Sequence, residues 1–162
     1  DILIKEGKDL GLRPFGIRAM DSLRLEKSYR LPGKELSIEY AALESGLDRF
    51  VSLNKGDFMG RDGLAEWKSR GFKYNFVTLE VKDIIDADAI GNNPIYKNGE
   101  LIGRATSGGY GFRVNKSIAL AMINPDYNEI GKELEINILG KNYNCLIINE
   151  SPYDEENIKI KA

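Results

Sequence analysis

Asp21 and Arg24 are the pair of charged residues whose spacing most directly suggests chemistry. They lie three positions apart in a stretch that we predict to be helical from Phe15 to Lys27, so their side chains are neighbours on one helix face. A charge that is pressed into a packed helix needs a partner of opposite sign. Two interpretations follow: the residues form a structural ion pair that fixes the helix, or they contact a ligand directly.

The composition limits the catalytic chemistry that this chain can perform. It contains no histidine and a single cysteine, Cys145, which excludes catalysis by an imidazole and any zinc site of the usual ligand composition. Carboxylates, lysines and tyrosines remain, together with groups that a partner supplies. We therefore assign no metal ligand to this chain, and any catalysis within it would have to use these remaining groups.

Charge and hydropathy restrict the environment and the partners. Lys and Arg total 23 against 25 Asp and Glu, so the net charge is −2 and gives no general attraction to nucleic acid or to an anionic membrane. No apolar run is long enough to span a bilayer, and no signal-peptide pattern is present at Asp1. Because Cys145 has no second cysteine to pair with, we expect a reducing, cytoplasmic location.

The helix that carries Asp21 and Arg24 should begin directly after Pro14, because the missing N–H of proline has no intrahelical partner in a first turn. Apolar side chains point in several directions around this helix, so we expect it to be packed on several sides. These side chains are Phe15, Ile17, Met20, Leu23 and Leu25. The sequence Leu31-Pro32-Gly33 disfavours any continuation of the helix.

Two further elements are predicted in the first half of the chain. Alternation of residue types predicts a short strand from Asp48 to Leu53. The pattern from Arg61 to Arg70 is that of an amphipathic helix, which Gly71 ends. Trp67 lies at helical spacing from a leucine, and we interpret it as a core residue; the alternative is a ring that stacks on a ligand.

From Phe72 onwards the pattern has a period of two residues, which is typical of β-strands. Two tight hairpins are predicted, at Asn98-Gly99 and at Gly140-Lys141. We predict a flexible loop at the glycine-rich segment Ser107–Gly111. Several short strands with close turns indicate a small barrel or a sandwich. We therefore divide the chain near Gly71 into two domains, residues 1–71 and residues 72–162.

Several short segments of the sequence form recognisable motifs. They are Asp21–Glu26 (Asp-Ser-Leu-Arg-Leu-Glu), Leu43–Phe50, Leu53–Gly60, Gly103–Tyr110 and Lys116–Ala121. In this order they resemble segments of the aminomethyltransferase family, and the resemblance covers nearly the whole chain. That family includes the T-protein of the glycine cleavage system and the C-terminal folate modules of dimethylglycine and sarcosine dehydrogenases.

The resemblance implies an α+β fold. The end of the aminomethyltransferase folate-binding fold, made of helices and a short strand, would precede a small C-terminal antiparallel β-barrel. The essential aspartate and a pterin-binding glutamate of the family match no carboxylate of this chain. We therefore expect a C-terminal fragment, preceded by the missing N-terminal domains of the same parent chain. The parent would be an enzyme, and the fragment alone would be inactive.

Within the family, Glu26-Lys27 followed by Tyr29-Arg30 resembles the dehydrogenase branch more than the T-protein. Met20 stands where T-proteins carry an arginine that helps to bind folate. The implied function is the acceptance by tetrahydrofolate of a one-carbon unit from an N-methyl amine of the dimethylglycine or sarcosine type, with FAD bound elsewhere in the parent chain. The alternatives are a fragment of a glycine cleavage T-protein and a non-enzymatic β-barrel binding module, for example for single-stranded nucleic acid.

Three residues are candidates for folate binding. By resemblance, Arg49 occupies a position where T-proteins often have tryptophan, and an arginine can stack on a ring or pair with the glutamate tail of folate. The alternative for Arg49 is a solvated side chain at a strand end. Tyr40 is a candidate pocket-lining ring near the same turn. Tyr110 lies in the glycine-rich segment, where glycines either permit close approach to a ligand or merely close a hairpin.

Overall fold

Six strands in the second half of the chain close into a barrel. The computed structural model describes residues 1–162. The strands are β1 (Asn75–Val81), β2 (Pro94–Lys97), β3 (Glu100–Gly111), β4 (Lys116–Ile123), β5 (Glu133–Ile138) and β6 (Lys141–Ile148). Around the barrel they follow the order β1-β4-β3-β2-β5-β6, and each neighbouring pair is antiparallel. The predicted α+β class and small antiparallel barrel are confirmed.

Three helices precede the barrel and one follows it. They are α1 (Ile2–Gly7), α2 (Ile17–Glu26), α3 (Arg61–Arg70) and α4 (Ile158–Lys161), with 3₁₀ turns at Lys8–Leu10, Asp48–Phe50 and Pro125–Tyr127. α2 starts later than predicted, with Gly16 as its N-cap, so Pro14 lies outside its first turn. α3 has its predicted bounds and is followed by Gly71, which adopts φ +86°. None of the helices combines the length and the apolar character needed to cross a bilayer.

The predicted strand from Asp48 to Leu53 is wrong. Asp48–Phe50 form a 3₁₀ turn, in which Phe50 N donates to Leu47 O at 2.9 Å and Val51 N donates to Asp48 O at 3.0 Å. These local bonds satisfy backbone groups for which a strand would need a neighbour in a sheet. No barrel strand pairs with this segment, so its alternating pattern does not produce a β-ladder.

The predicted flexible loop at Ser107–Gly111 is also wrong. This segment is the second half of β3, and it pairs with β4 from Ser107 opposite Leu120 onwards. A Cβ added at Gly108 would collide with the backbone oxygen of Ala89. Glycine is required here for close packing against the neighbouring backbone, and the turn to β4 comes only after the glycines.

Both predicted hairpins are present. Asn98 and Gly99 connect β2 to β3 with φ angles of +51° and +80°, the two positive values that the tight hairpin turn requires. Leu139 and Gly140 connect β5 to β6 with φ angles of +51° and +82°, one position earlier than predicted. The turn residues therefore set the register of both strand pairs.

The barrel interior is filled by one cluster of 15 buried apolar residues, drawn from all six strands and from Ala89. A second, smaller cluster lies outside the barrel, where Leu25 of α2 packs on Ile118 and Leu120 of β4. Because β4 contributes to both clusters, it is buried on both faces. The remaining apolar side chains of α2 are exposed, so the prediction that this helix is packed on several sides is wrong. Only its barrel side is covered.

Replacing Leu25 by alanine should destabilise the protein by roughly 2–5 kcal/mol, because Leu25 is 1% exposed and its removal leaves a cavity between α2 and β4. Equilibrium urea unfolding measures this change. Leu23→Ala on the same helix is the matched control, since Leu23 is 53% exposed and its loss should change the stability by less than about 0.5 kcal/mol. Equal effects of the two substitutions would contradict the packing described.

Candidate functional site

The structure places Asp21 and Arg24 at the junction of α2 and β3. Arg24 Nε lies 2.9 Å from Asp21 Oδ1, which makes an ion pair within the helix. Arg24 also donates from Nη2 to Ser107 Oγ at 3.0 Å and from Nη1 to the carbonyl of Tyr29 at 3.0 Å. The guanidinium therefore joins α2 to the strand beneath it and to the segment that follows the helix.

Glu35 lies beneath this junction and is fully buried. Its carboxylate accepts hydrogen bonds from the Thr106 hydroxyl, from Ser107 Oγ at 2.6 Å and from Leu31 N at 2.9 Å. Arg24 Nη1 lies 3.8 Å from the same carboxylate. The oxygens of this buried carboxylate are occupied by these donors, which hold β3 and the segment after α2 together.

The residues Glu26 and Lys27 contact the far end of the chain. Glu26 Oε1 accepts from Arg113 N at 2.6 Å. Lys27 Nζ donates to the carbonyls of Tyr153 and Asp154 at 3.1 and 2.7 Å. Both side chains are buried, so the structure gives them positioning contacts rather than contacts with solvent.

Arg30 extends this network to the end of the last barrel strand. Its guanidinium forms a two-point ion pair with Glu150, and Nε donates to the carbonyl of Ser45 at 2.8 Å. The guanidinium carbon lies 3.8 Å from the centre of the Phe76 ring on β1. Lys27 and Arg30 thus bind the N-terminal segment to the end of the chain and to the barrel.

A groove of about 880 Å³ runs between α2 and β3, and we name it the α2–β3 groove. Among the residues that line it are Arg18, Asp21, Ser22, Asp88, Gly109, Tyr110, Phe112 and Arg113. The Tyr110 ring meets the Phe112 ring edge-on at 5.0 Å, and Ser22 Oγ donates to the Tyr110 carbonyl at 2.7 Å. The groove therefore combines aromatic surface with charged groups of both signs.

Tyr40 lines a different groove, of about 1050 Å³, which we name the Tyr40 groove. The Tyr40 hydroxyl accepts from Arg104 Nε at 3.0 Å and Nη2 at 2.7 Å, and its ring meets Tyr74 edge-on at 5.7 Å. Arg104 also pairs with Glu39. The hydrogen bond to Tyr40, together with the charge of Glu39, raises the pKa of the Arg104 guanidinium above its ordinary value.

The three candidate folate residues do not share one site. Tyr110 lines the α2–β3 groove, Tyr40 lines the other groove, and Arg49 lines neither of them. Arg49 is exposed on the 3₁₀ turn, with its guanidinium carbon 4.7 Å from the Phe50 ring. Their roles in folate binding stay predictions, and Tyr110 alone lies beside α2.

Two family models match the chain. The model of the glycine cleavage T-protein C-terminal barrel domain matches residues 75–154, and that of the GCVT N-terminal domain matches residues 1–55. The chain belongs to the glycine cleavage T-protein family. Gly71 lies between the two matched ranges. The domain boundary that we place there stays a prediction.

Similar proteins include members of both branches of the T-protein family. The chain is 40% identical over 151 residues to dimethylglycine dehydrogenase, mitochondrial, from Homo sapiens, an alignment that covers 93% of this chain and 17% of the human protein. It is 36% identical over 158 residues to the aminomethyltransferase of Thermoanaerobacter pseudethanolicus, covering 93% of this chain and 40% of that protein. This T-protein family chain therefore spans less than half the length of these relatives.

The fold also matches a solved T-protein structure. The glycine cleavage system aminomethyltransferase T from Bartonella henselae superposes with a TM-score of 0.79 at 24% identity, over 86% of this chain and 39% of that one. At this level of identity the match establishes the fold, and the roles of individual residues have to be argued from the geometry above.

Three residues that form buried or partly buried contacts, or line a groove, were not identified from the sequence. Glu35 follows a Pro-Gly turn, where no periodic pattern indicates burial. Arg104 lies in the Gly103–Tyr110 motif, so the resemblance marked the segment but not the contact with Tyr40. Asp88 lies in the connection between β1 and β2, and only the fold brings it to the α2–β3 groove.

Glu35→Gln should destabilise the protein by roughly 1–3 kcal/mol, because one acceptor oxygen is replaced by an amide nitrogen among buried donors. Equilibrium unfolding measures the loss. Glu66→Gln is the matched control, since Glu66 is exposed on α3 and should tolerate the change. A Glu35→Gln variant as stable as this control would refute the proposed positioning role of the buried carboxylate.

Cys145 should be unreactive in the folded protein. Burial, followed by the charge of Glu135, raises the pKa of its thiol to about 12, and the residue is 1% exposed. At about pH 8 the nucleophilic thiolate is therefore scarce, and iodoacetamide should modify Cys145 only after unfolding. A variant with Cys145→Ala and Ser52→Cys supplies an exposed reactive control. Equally rapid alkylation of Cys145 in the folded protein would contradict the burial.

Proposed function

We propose that the chain forms the C-terminal part of a tetrahydrofolate-dependent, aminomethyltransferase-like enzyme, which accepts a one-carbon unit from an N-methyl amine of the dimethylglycine or sarcosine type. The observation that carries the proposal is the convergence of two family motifs on one groove. Asp21–Glu26 and Gly103–Tyr110 are far apart in the sequence, and residues from both line the α2–β3 groove.

The chemistry of the α2–β3 groove supports a folate ligand. Tetrahydrofolate combines flat rings with a carboxylate tail. The Tyr110 and Phe112 rings offer aromatic surface, while Arg18 and Arg113 offer cations to carboxylates. The Asp21 carboxylate can accept hydrogen bonds from ring N–H groups. Tyr40 and Arg49 remain further candidates, for parts of a ligand that extend beyond this groove.

The remaining parts of the enzyme would cover the apolar surface of the first two helices. Ile2, Leu3, Ile17 and Met20 are between 51% and 80% exposed. Exposed apolar side chains that lie together are typical of an interaction site. We propose that N-terminal domains of the parent chain cover these side chains and supply the catalytic aspartate, together with folate contacts beyond those of the α2–β3 groove. A flavin domain carrying FAD would oxidise the amine.

A glycine cleavage aminomethyltransferase is the second candidate. The identities of 36% and 38% to bacterial aminomethyltransferases over at least 90% of the chain favour it. Against it stands Met20, at the position where T-proteins carry a folate-binding arginine. Oxidation of dimethylglycine or sarcosine by the full-length enzyme would establish the first candidate, and transfer from an aminomethyl group without amine oxidation would establish the second.

The chain should bind 5-formyltetrahydrofolate in the α2–β3 groove without forming methylene-tetrahydrofolate by itself. Equilibrium dialysis measures the binding. Tyr110→Leu should raise the dissociation constant about tenfold, because it removes a ring from the groove. Tyr29→Leu is the control, since Tyr29 is half-exposed and lies outside both grooves.

Three results would contradict this proposal. The first is the absence of saturable folate binding by the chain. The second is equal affinity of the Tyr110→Leu variant and the unaltered chain. The third is production of methylene-tetrahydrofolate by the chain alone, which would place the catalytic groups within these residues.

A further inference from the structure

A smaller depression of about 410 Å³ lies where the connection between β1 and β2 meets the ends of β3 and β4. We name it the β1–β2 depression. Among the residues that line it are Ile84, Asp86, Asp88, Tyr110, Phe112 and Ser117. Its volume suits a ligand much smaller than folate, although it adjoins the α2–β3 groove at Asp88, Tyr110 and Phe112.

The charges that line this depression are all negative. Asp86 and Asp88 are its only charged residues, and neither takes part in an ion pair. Two lysines lie close in the sequence to the lining residues: Lys116 in β4 and Lys82 directly after β1. Both are paired with Glu80. Arg18 and Arg113 line the adjoining groove instead. The depression therefore presents only negative formal charge.

Two aromatic rings form one wall of the depression. Tyr110 and Phe112 meet edge-on, with their centroids 5.0 Å apart and their planes at 76°. The face of each ring attracts a cation, and a methylated ammonium group suits such a wall because its charge is spread over apolar methyl groups. Phe112 is 75% exposed, so its ring is accessible.

The third feature of the depression is the Ser117 hydroxyl, which has no hydrogen-bond partner. Ser117 is 7% exposed, and its Oγ is buried without a hydrogen bond. Ser117 is paired with Tyr110 across β3 and β4, so both side chains leave the sheet on the same face. A buried polar group without a partner lowers stability, and an N–H from a ligand would supply the missing bond.

We infer that the β1–β2 depression binds a small alkylammonium ion, with the carboxylates of Asp86 and Asp88 opposing its charge, the rings of Tyr110 and Phe112 contacting its methyl groups, and Ser117 accepting its N–H. A metal ion fits less well. Two carboxylates fall short of the six to eight oxygens that calcium takes, and no group of three potential ligands occurs in the structure. This inference does not depend on folate binding.

Titration of the 162-residue chain with trimethylammonium chloride, in the absence of folate and followed by amide chemical shifts, tests the inference. We expect saturable shifts at the residues of the depression. Sodium chloride at equal ionic strength and neutral tert-butanol, which has a similar size, should not produce them. Absence of saturable shifts, or equal shifts with tert-butanol, would overturn the inference.

Two variants separate binding from folding. The double substitution Asp86→Asn and Asp88→Asn should raise the dissociation constant about tenfold or more. Asp83→Asn is the matched control, since it removes a charge from the same connection outside the depression, and asparagine tolerates its φ of +56°. Unchanged affinity in the double variant, or an equal loss in the control, would refute the proposed role of the two carboxylates.

Ser117→Ala provides an independent readout. We expect weaker trimethylammonium binding, by about threefold, together with a thermal midpoint that is unchanged or higher, because the unpaired hydroxyl is removed. A merely structural serine would show the opposite combination, with lower stability and unchanged affinity. That combination would remove Ser117 from the proposed site.

Discussion

Buried carboxylates whose oxygens are occupied by hydrogen-bond donors hold this structure together. Glu26, Glu35 and Glu44 are each at most 1% exposed. A carboxylate in such a position is tolerated only when donors replace the water that it has lost. Glu44 shows the pattern, because it accepts from the backbone N–H groups of Ala41, Lys73 and Tyr74. The segment between α2 and α3 has little regular secondary structure, and these bonds give it a defined path across the barrel.

The shape of the α2–β3 groove follows from the same network. Arg24 and Glu35 fix α2 against β3, and the carbonyl of Tyr110 is held by Ser22. The aromatic ring of Tyr110 is therefore carried by a paired strand rather than by a mobile loop. A ring on a rigid element loses little conformational freedom when a ligand binds, which favours its use as a recognition surface.

The strands and hairpins of the second half were predictable because their signals are local, whereas the choice of a barrel over a sandwich came from the family resemblance. Asn98-Gly99 and alternating apolar residues specify a hairpin without reference to the rest of the chain. The misassigned segments depended on distant partners. Ser107–Gly111 looks like a loop until Ala89 is brought against Gly108, and Asp48–Leu53 looks like a strand until the absence of a neighbouring strand is known. The burial of Glu35 was unpredictable for the same reason, since its donors Thr106 and Ser107 are about seventy positions away.

The contacts of Lys27 and Arg30 with Glu150, Tyr153 and Asp154 have a consequence for biosynthesis. Their partners lie 120 to 127 positions later in the sequence, so they leave the ribosome long after these cations do. Until then the Lys27 ammonium group and the Arg30 guanidinium lack the partners that they have in the folded chain. Contacts of such long range are slow to form, because the intervening chain must first be ordered. The contacts that fix Lys27 and Arg30 can therefore form only after the residues that follow β6 have been synthesised.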